Sequence, residues 1–375
     1  MQPVFMLVSV FAIPALLAPV SLLIKKPGKA LWFGFFATLI WAAVIASVLV
    51  QFCICDETFA DGWLILDSLS AYHLAITAVR CILSSLSAIF FFYNEPGATE
   101  PGNKMARNFT ALYLAALSAM SLTLISNNIG ISWVGIEATT LLTAFLILSP
   151  GVPASIEAMW KYLLMCSVGV ALAFAGILII AASTGAAQLD GASAFNWSIL
   201  NKHAHLLDPR LCKIAFVFLF VGFGTKSGIA PMHSWVPDAY SQAPAPAVIF
   251  SGFMINAAFY CLLRYLPIIE TATGNVDWAR EILVIFGMLS ILIGAVFVIT
   301  QNDVKRLLAY LGIEHMGVIA LGIGIGGMGV LAGLLLIFTH SICKTISFLS
   351  VGRLGQIYGT HDLRKMTGVF EISPV

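Results

Sequence analysis

The chain is patterned as long apolar runs separated by short polar connections. A helix rises 1.5 Å per residue, so about 20 mainly apolar residues cover a hydrocarbon core of roughly 30 Å. Runs near 3–24, 30–52, 63–93, 106–125, 128–149, 156–183, 211–230, 244–268, 278–300, 304–323 and 329–355 reach that length. They predict an all-α polytopic membrane protein of about eleven transmembrane helices. The third and sixth runs exceed what a bilayer needs, so they are expected to tilt or project. The opening stretch MQPVFMLVSVFAIPALLAPV has no basic region ahead of its apolar run and reads as a first span, not a cleaved signal.

Composition agrees with a lipid solvent. Hydrophobic residues make up 60% of the chain, charged residues 10%, and mean hydropathy is +0.97. A soluble domain carries about a quarter charged residues. A net charge of +1 supplies no basic patch for nucleic acid. The seven cysteines lie singly apart from Cys53 and Cys55, which reads as helix packing and not as thiolate–metal spacing. Basic residues cluster on alternate connections: Lys25, Lys26 and Lys29, then Lys104, Arg107, Lys161, Lys305, Arg306, Arg353, Arg364 and Lys365. The opposite side holds little beyond Lys202, Arg210 and Arg280. This bias predicts an inner-membrane protein with its N-terminus outside and its C-terminal segment in the cytoplasm. The longest outer connection, roughly 184–210, reads as a solvated loop.

Ionisable groups within the runs are functional candidates, because a charge at mid-membrane costs at least ~2.5–3.5 kcal/mol. Glu137 lies about eleven residues into SNNIGISWVGIEATTLLTAFLILS, roughly half-way through a core of ~30 Å. Lys226 ends a run just before GIAPMHSWVPDAYSQAPAPA, where Pro231, Pro237, Pro244 and Pro246 forbid one continuous helix. Broken backbone at membrane depth belongs inside protein or beside a wet cavity, so 228–246 is expected to be non-helical and packed inside. A carboxylate beside a buried lysine favours its charged form and burial disfavours it. Glu137 and Lys226 on neighbouring helices would thus form a proton switch, or else a static ion pair joining two helices. His340 and Lys344 stack at i, i+4 on one face and suit a proton relay, or else are a satisfied core histidine and a snorkelling lysine. Lys161 with Glu157 marks either the pathway or the interface, and Glu314 and His315 are open between function and structural pairing. Arg264 is near enough to a helix end to snorkel. GIGIGG at 322–327 follows no strand and reads as a tight turn, and GFGTKS at 222–227 lacks the glycine a phosphate loop needs before its lysine.

The stretches SNNIGISWVGIEATTL, IEAMWKYLLMCSVGVALAFAGILI, GFGTKSGIAPMHSWVPDAYSQAPAPA, QNDVKRLLAYLGIEHMGVIALGIG and HSICKTISFLSVG carry a family likeness. Over about 110–365 the chain resembles the antiporter-like subunits of respiratory complex I, Mrp-type cation/proton antiporters and membrane-bound hydrogenases, above all the hydrogenase-4 component F type. The resemblance implies fourteen spans in which two inverted five-helix repeats each hold one broken helix. By motif, Glu137 and Lys226 match the family's glutamate–lysine pair, and His340 and Lys344 match the residues bridging the repeats. Asn256 stands where many complex I homologues place lysine or histidine, implying a water-bridged step. The chain ends at Val375, before the family's last three spans.

These readings divide the chain into N-terminal helices (1–105), a first antiporter repeat with a broken seventh helix (106–268) and a partial second repeat (269–375). The function expected is proton translocation through Glu137, Lys226, Asn256, His340, Lys344 and Lys161, within a redox-driven complex. An Mrp-like sodium/proton antiporter subunit and a structural membrane anchor are the alternatives. The chain shows no cofactor or metal motif of its own. Its expected partners are other membrane subunits, a peripheral arm, lipid and protons.

Overall fold

The computed structural model describes residues 2–55, 58–93, 103–148, 152–189 and 191–369. Each expected run is a helix: α1 (Gln2–Leu23), α2 (Pro27–Cys55), α3 (Ser68–Tyr93), α4 (Asn103–Ile125), α5 (Ile129–Leu148) and α6 (Pro153–Ala182). A short α7 (Trp197–Lys202) precedes α8 (Pro209–Ser227), an eight-residue α9 (Trp235–Gln242) and α10 (Ala245–Thr273). Then follow α11 (Val276–Ile299), α12 (Val304–Ile325) and α13 (Met328–Tyr358). Among the described residues, 9 helices are long and apolar enough to cross a membrane. α8 and α10 hold the places expected for the seventh and eighth spans, and α8 carries Arg210, Lys213 and Lys226 along its 19 residues.

Burial is inverted relative to a water-soluble protein. Leu292, Leu335 and Ile285 are about 60% exposed, whereas Arg80, Lys226, Asn256, His340 and Lys344 are all buried. Lipid accepts the first set, and the bundle interior must satisfy the second. Helices approach closely through small residues. A Cβ on Gly222 of α8 would stand 2.5 Å from the backbone of Gly169 and Ala173 on α6, and one on Gly317 of α12 would stand 2.6 Å from the Gly287 carbonyl oxygen of α11.

Several expectations need correction. The third run does not begin as helix at 63. Residues Phe59–Asp61 and Leu64–Leu66 pair as an antiparallel hairpin, β1 and β2, turned at Gly62 with φ +52°. Asp67 then caps α3, its carboxylate accepting from the Ser70 amide at 2.9 Å. The 184–210 connection is a docked cap: Leu200 and Ala204 are fully buried, and the Trp197 indole donates to the Arg264 carbonyl at 2.7 Å. The break after Lys226 is only partly packed inside, since Gly228–Ala230 and most of 235–246 are buried but Pro231 and Ser234 are exposed. Nor is it wholly non-helical. It holds α9, with Pro237 in its first turn, while Pro244 and Pro246 sit at the start of α10, where a missing N–H costs nothing. Pro231 lies in the turn between α8 and α9. Residues 322–327 close α12 onto α13, with Gly326 and Gly327 both at positive φ.

Candidate functional site

α8 ends at Gly228, whose φ of 70° closes the helix. The Ile229 amide reaches the Gly224 carbonyl at 2.9 Å and the Gly228 amide reaches that of Thr225 at 3.1 Å, the paired bonds that stop a helix at a left-handed residue. This sets Lys226 in the last turn, where the negative end of the helix dipole favours an ammonium. Its side chain is 1% exposed. Nζ donates to Thr140 Oγ1 at 2.9 Å and to the Tyr162 hydroxyl at 2.5 Å. With its oxygen facing an ammonium, Tyr162 directs its own proton to Thr143 Oγ1 at 2.8 Å, and Thr143 donates to the Thr139 carbonyl at 2.7 Å. The result is an oriented chain of three groups leading away from the lysine.

Glu137 lies one turn before Thr140 on α5 but forms no ion pair with Lys226. One carboxylate oxygen accepts from Ser167 at 3.2 Å, and the other is buried without a partner among the described residues. Sequence places the two within contact or one water of each other; no direct ion pair forms, and hydroxyls of α5 and α6, those of Thr140 and Tyr162, hold the ammonium.

A second cluster gathers on α3, α10, α12 and α13. Lys344, 7% exposed, donates to the Leu308 carbonyl and lies 5.3 Å from the centre of the Phe348 ring. Gly312 leaves the room for it, since a Cβ there would meet Nζ at 2.5 Å. His340 Nδ1 lies 2.8 Å from His315 Nδ1, so one ring holds the proton between them and the other accepts it. Beside them, Asn256 Nδ2 donates to Ser341 Oγ at 2.9 Å and an Arg80 N–H approaches the same oxygen at 3.4 Å. A cavity of about 10 Å³ lined by Arg80, Tyr240, His340 and Lys344 is close to the smallest space that admits one water.

α9 stands between the two clusters. Tyr162 packs on Trp235 at 5.0 Å, Trp235 on Tyr240 at 6.4 Å, and Tyr240 on Phe348 at 5.8 Å, so an unbroken row of rings separates Lys226 from Lys344. Three ties hold α9. The Trp235 indole donates to the Thr225 carbonyl at 2.8 Å. Asp238 pairs with Lys161 at 3.1 Å and with Arg306 at 2.7 Å. Lys305 donates to the carbonyls of Ser241 and Ala243 at 2.8 and 2.7 Å.

Lys161 is thus at the rim, half-exposed and also paired with Glu157 at 2.7 Å, apart from the buried clusters. Lys305 is not a connection cation but a buried one. Arg264 does not snorkel. It is buried against Asp67, Ser70 and Tyr260, and stacks 4.7 Å from the Trp197 ring. Sequence reasoning passed over Arg80, although an arginine twelve residues into the apolar helix of α3 carries the same signal as Glu137. Tyr162 and Asp238 gave no such signal.

The family model described as "NADH:quinone oxidoreductase/Mrp antiporter, TM" matches residues 126–375. The chain belongs to this family. This antiporter-family chain is 38% identical over 316 residues to a hydrogenase-4 component F homolog of Methylacidiphilum infernorum, covering 84% of itself and 66% of that relative. It therefore spans just under two thirds of the relative's length. Its fold is that of a chain in an archaeal membrane-bound sulfane sulfur reductase, with TM-score 0.85, 24% identity and coverage of 97% and 74% of the two chains. It also overlays a chain of respiratory complex I from Thermus thermophilus, with TM-score 0.81, 21% identity and coverage of 98% and 75%. This antiporter-family chain is accordingly a multi-pass membrane protein.

Proposed function

We propose that this chain translocates protons as a membrane subunit of a redox-driven complex, of the hydrogenase-4 or complex I kind. The observation that carries the reading is a pair of buried lysines, Lys226 and Lys344, held by neutral oxygens. A lysine locked to a carboxylate is a strut, and breaking such a pair costs several kcal/mol. One held by hydroxyls or a carbonyl can take or lose its proton without breaking an ion pair.

In this reading Glu137, with one oxygen unpartnered, is the mobile charge. Its carboxylate approaching Lys226 favours the ammonium, and its withdrawal or protonation favours release. The proton then passes by way of water near Asn256 to the His315–His340 pair and Lys344, and Lys161 at the rim serves uptake. The aromatic row on α9 keeps the two lysines from equilibrating freely, so displacement of α9 gates the transfer. The chain holds no cofactor. Electrons pass through a peripheral arm carried by partner subunits, and the N-terminus lies outside with the C-terminal segment cytoplasmic. Sites lined by lysine and histidine repel sodium, which weighs against Mrp-like exchange.

The test is redox-driven proton uptake into vesicles holding the complete complex. Lys226→Ala should abolish uptake while leaving assembly intact. Uptake at the wild-type rate would refute the assignment.

A further inference from the structure

α3 carries a polar stripe that the pathway above leaves unused. Ser70, His73, Thr77, Arg80 and Ser84 follow at spacings of three and four and share one helix face. That face is fully inside, with all five residues at 2% exposure or less. α10 opposes it with Gly252, Asn256, Tyr260 and Arg264 at intervals of four.

The two faces meet turn by turn. Arg264 grips the Asp67 carboxylate with two N–H groups, one at 2.8 Å, and donates to Ser70 Oγ at 2.5 Å. The Tyr260 hydroxyl lies 3.0 Å from Ser70 Oγ and donates to the Leu124 carbonyl at 2.8 Å. The His73 ring lies 5.0 Å from the Tyr260 ring. Arg80 fits over Gly252, where a Cβ would come within 2.6 Å of its guanidinium, and reaches Ser341 beside Asn256. Ser84 donates to the Pro246 carbonyl at 2.9 Å. From Asp67 to Ser84 this seam covers about 25 Å at 1.5 Å per residue, most of a hydrocarbon core.

His73 is a titratable group within the seam that has unmet capacity. Its Nδ1 lies 2.9 Å from the Leu69 carbonyl. A carbonyl only accepts, so Nδ1 carries the proton and Nε2 holds a bare lone pair. Among the described residues Nε2 is buried with no hydrogen-bond partner, and so is Oδ1 of Asn256. A buried acceptor left unmade costs about 1–3 kcal/mol, and an intramembrane ionisable group carries function by default.

We propose that the α3–α10 seam is a proton branch joining the His340–Lys344 cluster to the Asp67–Arg264 end of the bundle, with Nε2 of His73 as its proton-accepting atom. The proposal rests on the proton-translocating reading above. An N–H bond of the Lys344 ammonium breaks, the proton passes Ser341 and Asn256 by way of water, and an N–H bond forms at Nε2. It then leaves to water at the Asp67 end and the lone pair is restored. The fixed cation of Arg80 between donor and acceptor disfavours a second charge resting there, so the transfer is transient.

The experiment measures protons pumped per redox turnover by the complete complex in vesicles, comparing wild type with His73→Gln, His73→Leu and Lys226→Ala. Glutamine can hydrogen-bond but cannot gain a proton at neutral pH. The branch predicts that both His73 variants lose pumping about tenfold or more, while redox turnover and co-purification with partner subunits persist. Wild-type pumping by both His73 variants, with Lys226→Ala inactive, overturns the branch and leaves the main function standing. Rescue by glutamine of a leucine defect makes His73 a packing residue and also overturns it. Wild-type pumping by Lys226→Ala overturns both. If His73→Leu does not assemble, His73→Asn, smaller than the imidazole, takes its place.

Discussion

Replacing Lys305 by methionine tests whether α9 is held by a buried cation or by its surface ion pairs. Lys305 is 5% exposed, and its Nζ donates to two carbonyls at the end of α9, those of Ser241 and Ala243. Methionine nearly preserves the volume and removes both bonds. A hydrogen bond to a charged group contributes about 1.5–3 kcal/mol, and each buried carbonyl left bare costs about 1–3 kcal/mol. The methionine also avoids desolvating an ammonium, which offsets part of that loss. The net destabilisation is about 2–4 kcal/mol, within the range of a broken buried network. Arg306→Ala, by contrast, removes an ion pair in which the arginine side chain is 38% exposed. Such pairs contribute about 0.2–1 kcal/mol. Thermal unfolding of the detergent-purified complex, with limited proteolysis around 228–246, should rank Lys305→Met well below Arg306→Ala and wild type. An equal or larger drop for Arg306→Ala would refute the reasoning, because the surface pair would then be what fixes α9.

Tyr162→Phe removes one of the two hydroxyls holding the Lys226 ammonium and the proton that Thr143 accepts. With about 1.5 kcal/mol or more lost, steady-state pumping should fall about tenfold or more while assembly persists. Gly312→Ala places a methyl 2.5 Å from the Lys344 ammonium. It should cut pumping more than Gly185→Ala, a substitution whose Cβ meets open space, both measured in the same vesicle assay. The Arg364 side chain bonded to Asp362 holds that carboxyl at about 2. Because the folded form binds its proton more weakly than the unfolded chain, its contribution is complete above the unfolded value of about 3.9 and is lost as pH falls toward 2. A carboxyl titration by isotope-edited infrared spectroscopy should find Asp362 still ionised at pH 3, and Arg364→Ala should return it toward the ordinary range.

Much of the helix arrangement was legible in the pattern of apolar runs. Hydrophobic length is a local property, and each span must satisfy its own backbone hydrogen bonds whatever its neighbours do. The prolines at 231, 237, 244 and 246 likewise announced the break after Lys226, since a missing N–H acts on the nearest turn alone. Glu137, Lys226, His340 and Lys344 stood out because charge in an apolar run is costly wherever the helix ends up. Residues 63–67 were misread because a short apolar strand and the first turn of an apolar helix look alike in one dimension. The difference lay in Gly62, the Asp67 cap and partners more than sixty residues away.

What only the tertiary structure decided is who meets whom. Lys226 lies against Thr140 and Tyr162 and not Glu137, because the order in which α5, α6 and α8 pack determines which oxygens a flexible lysine reaches. Lys305 and Arg264 resembled surface cations in sequence, since a basic residue near a helix end can snorkel or turn inward at similar local cost. Two bare carbonyls at the end of α9, and a carboxylate at the start of α3, turned them inward. The α3–α10 seam arises in the same way. Its spacing is written in each helix separately, but a polar stripe becomes a path across the bundle only when a second helix packs its own polar face against it.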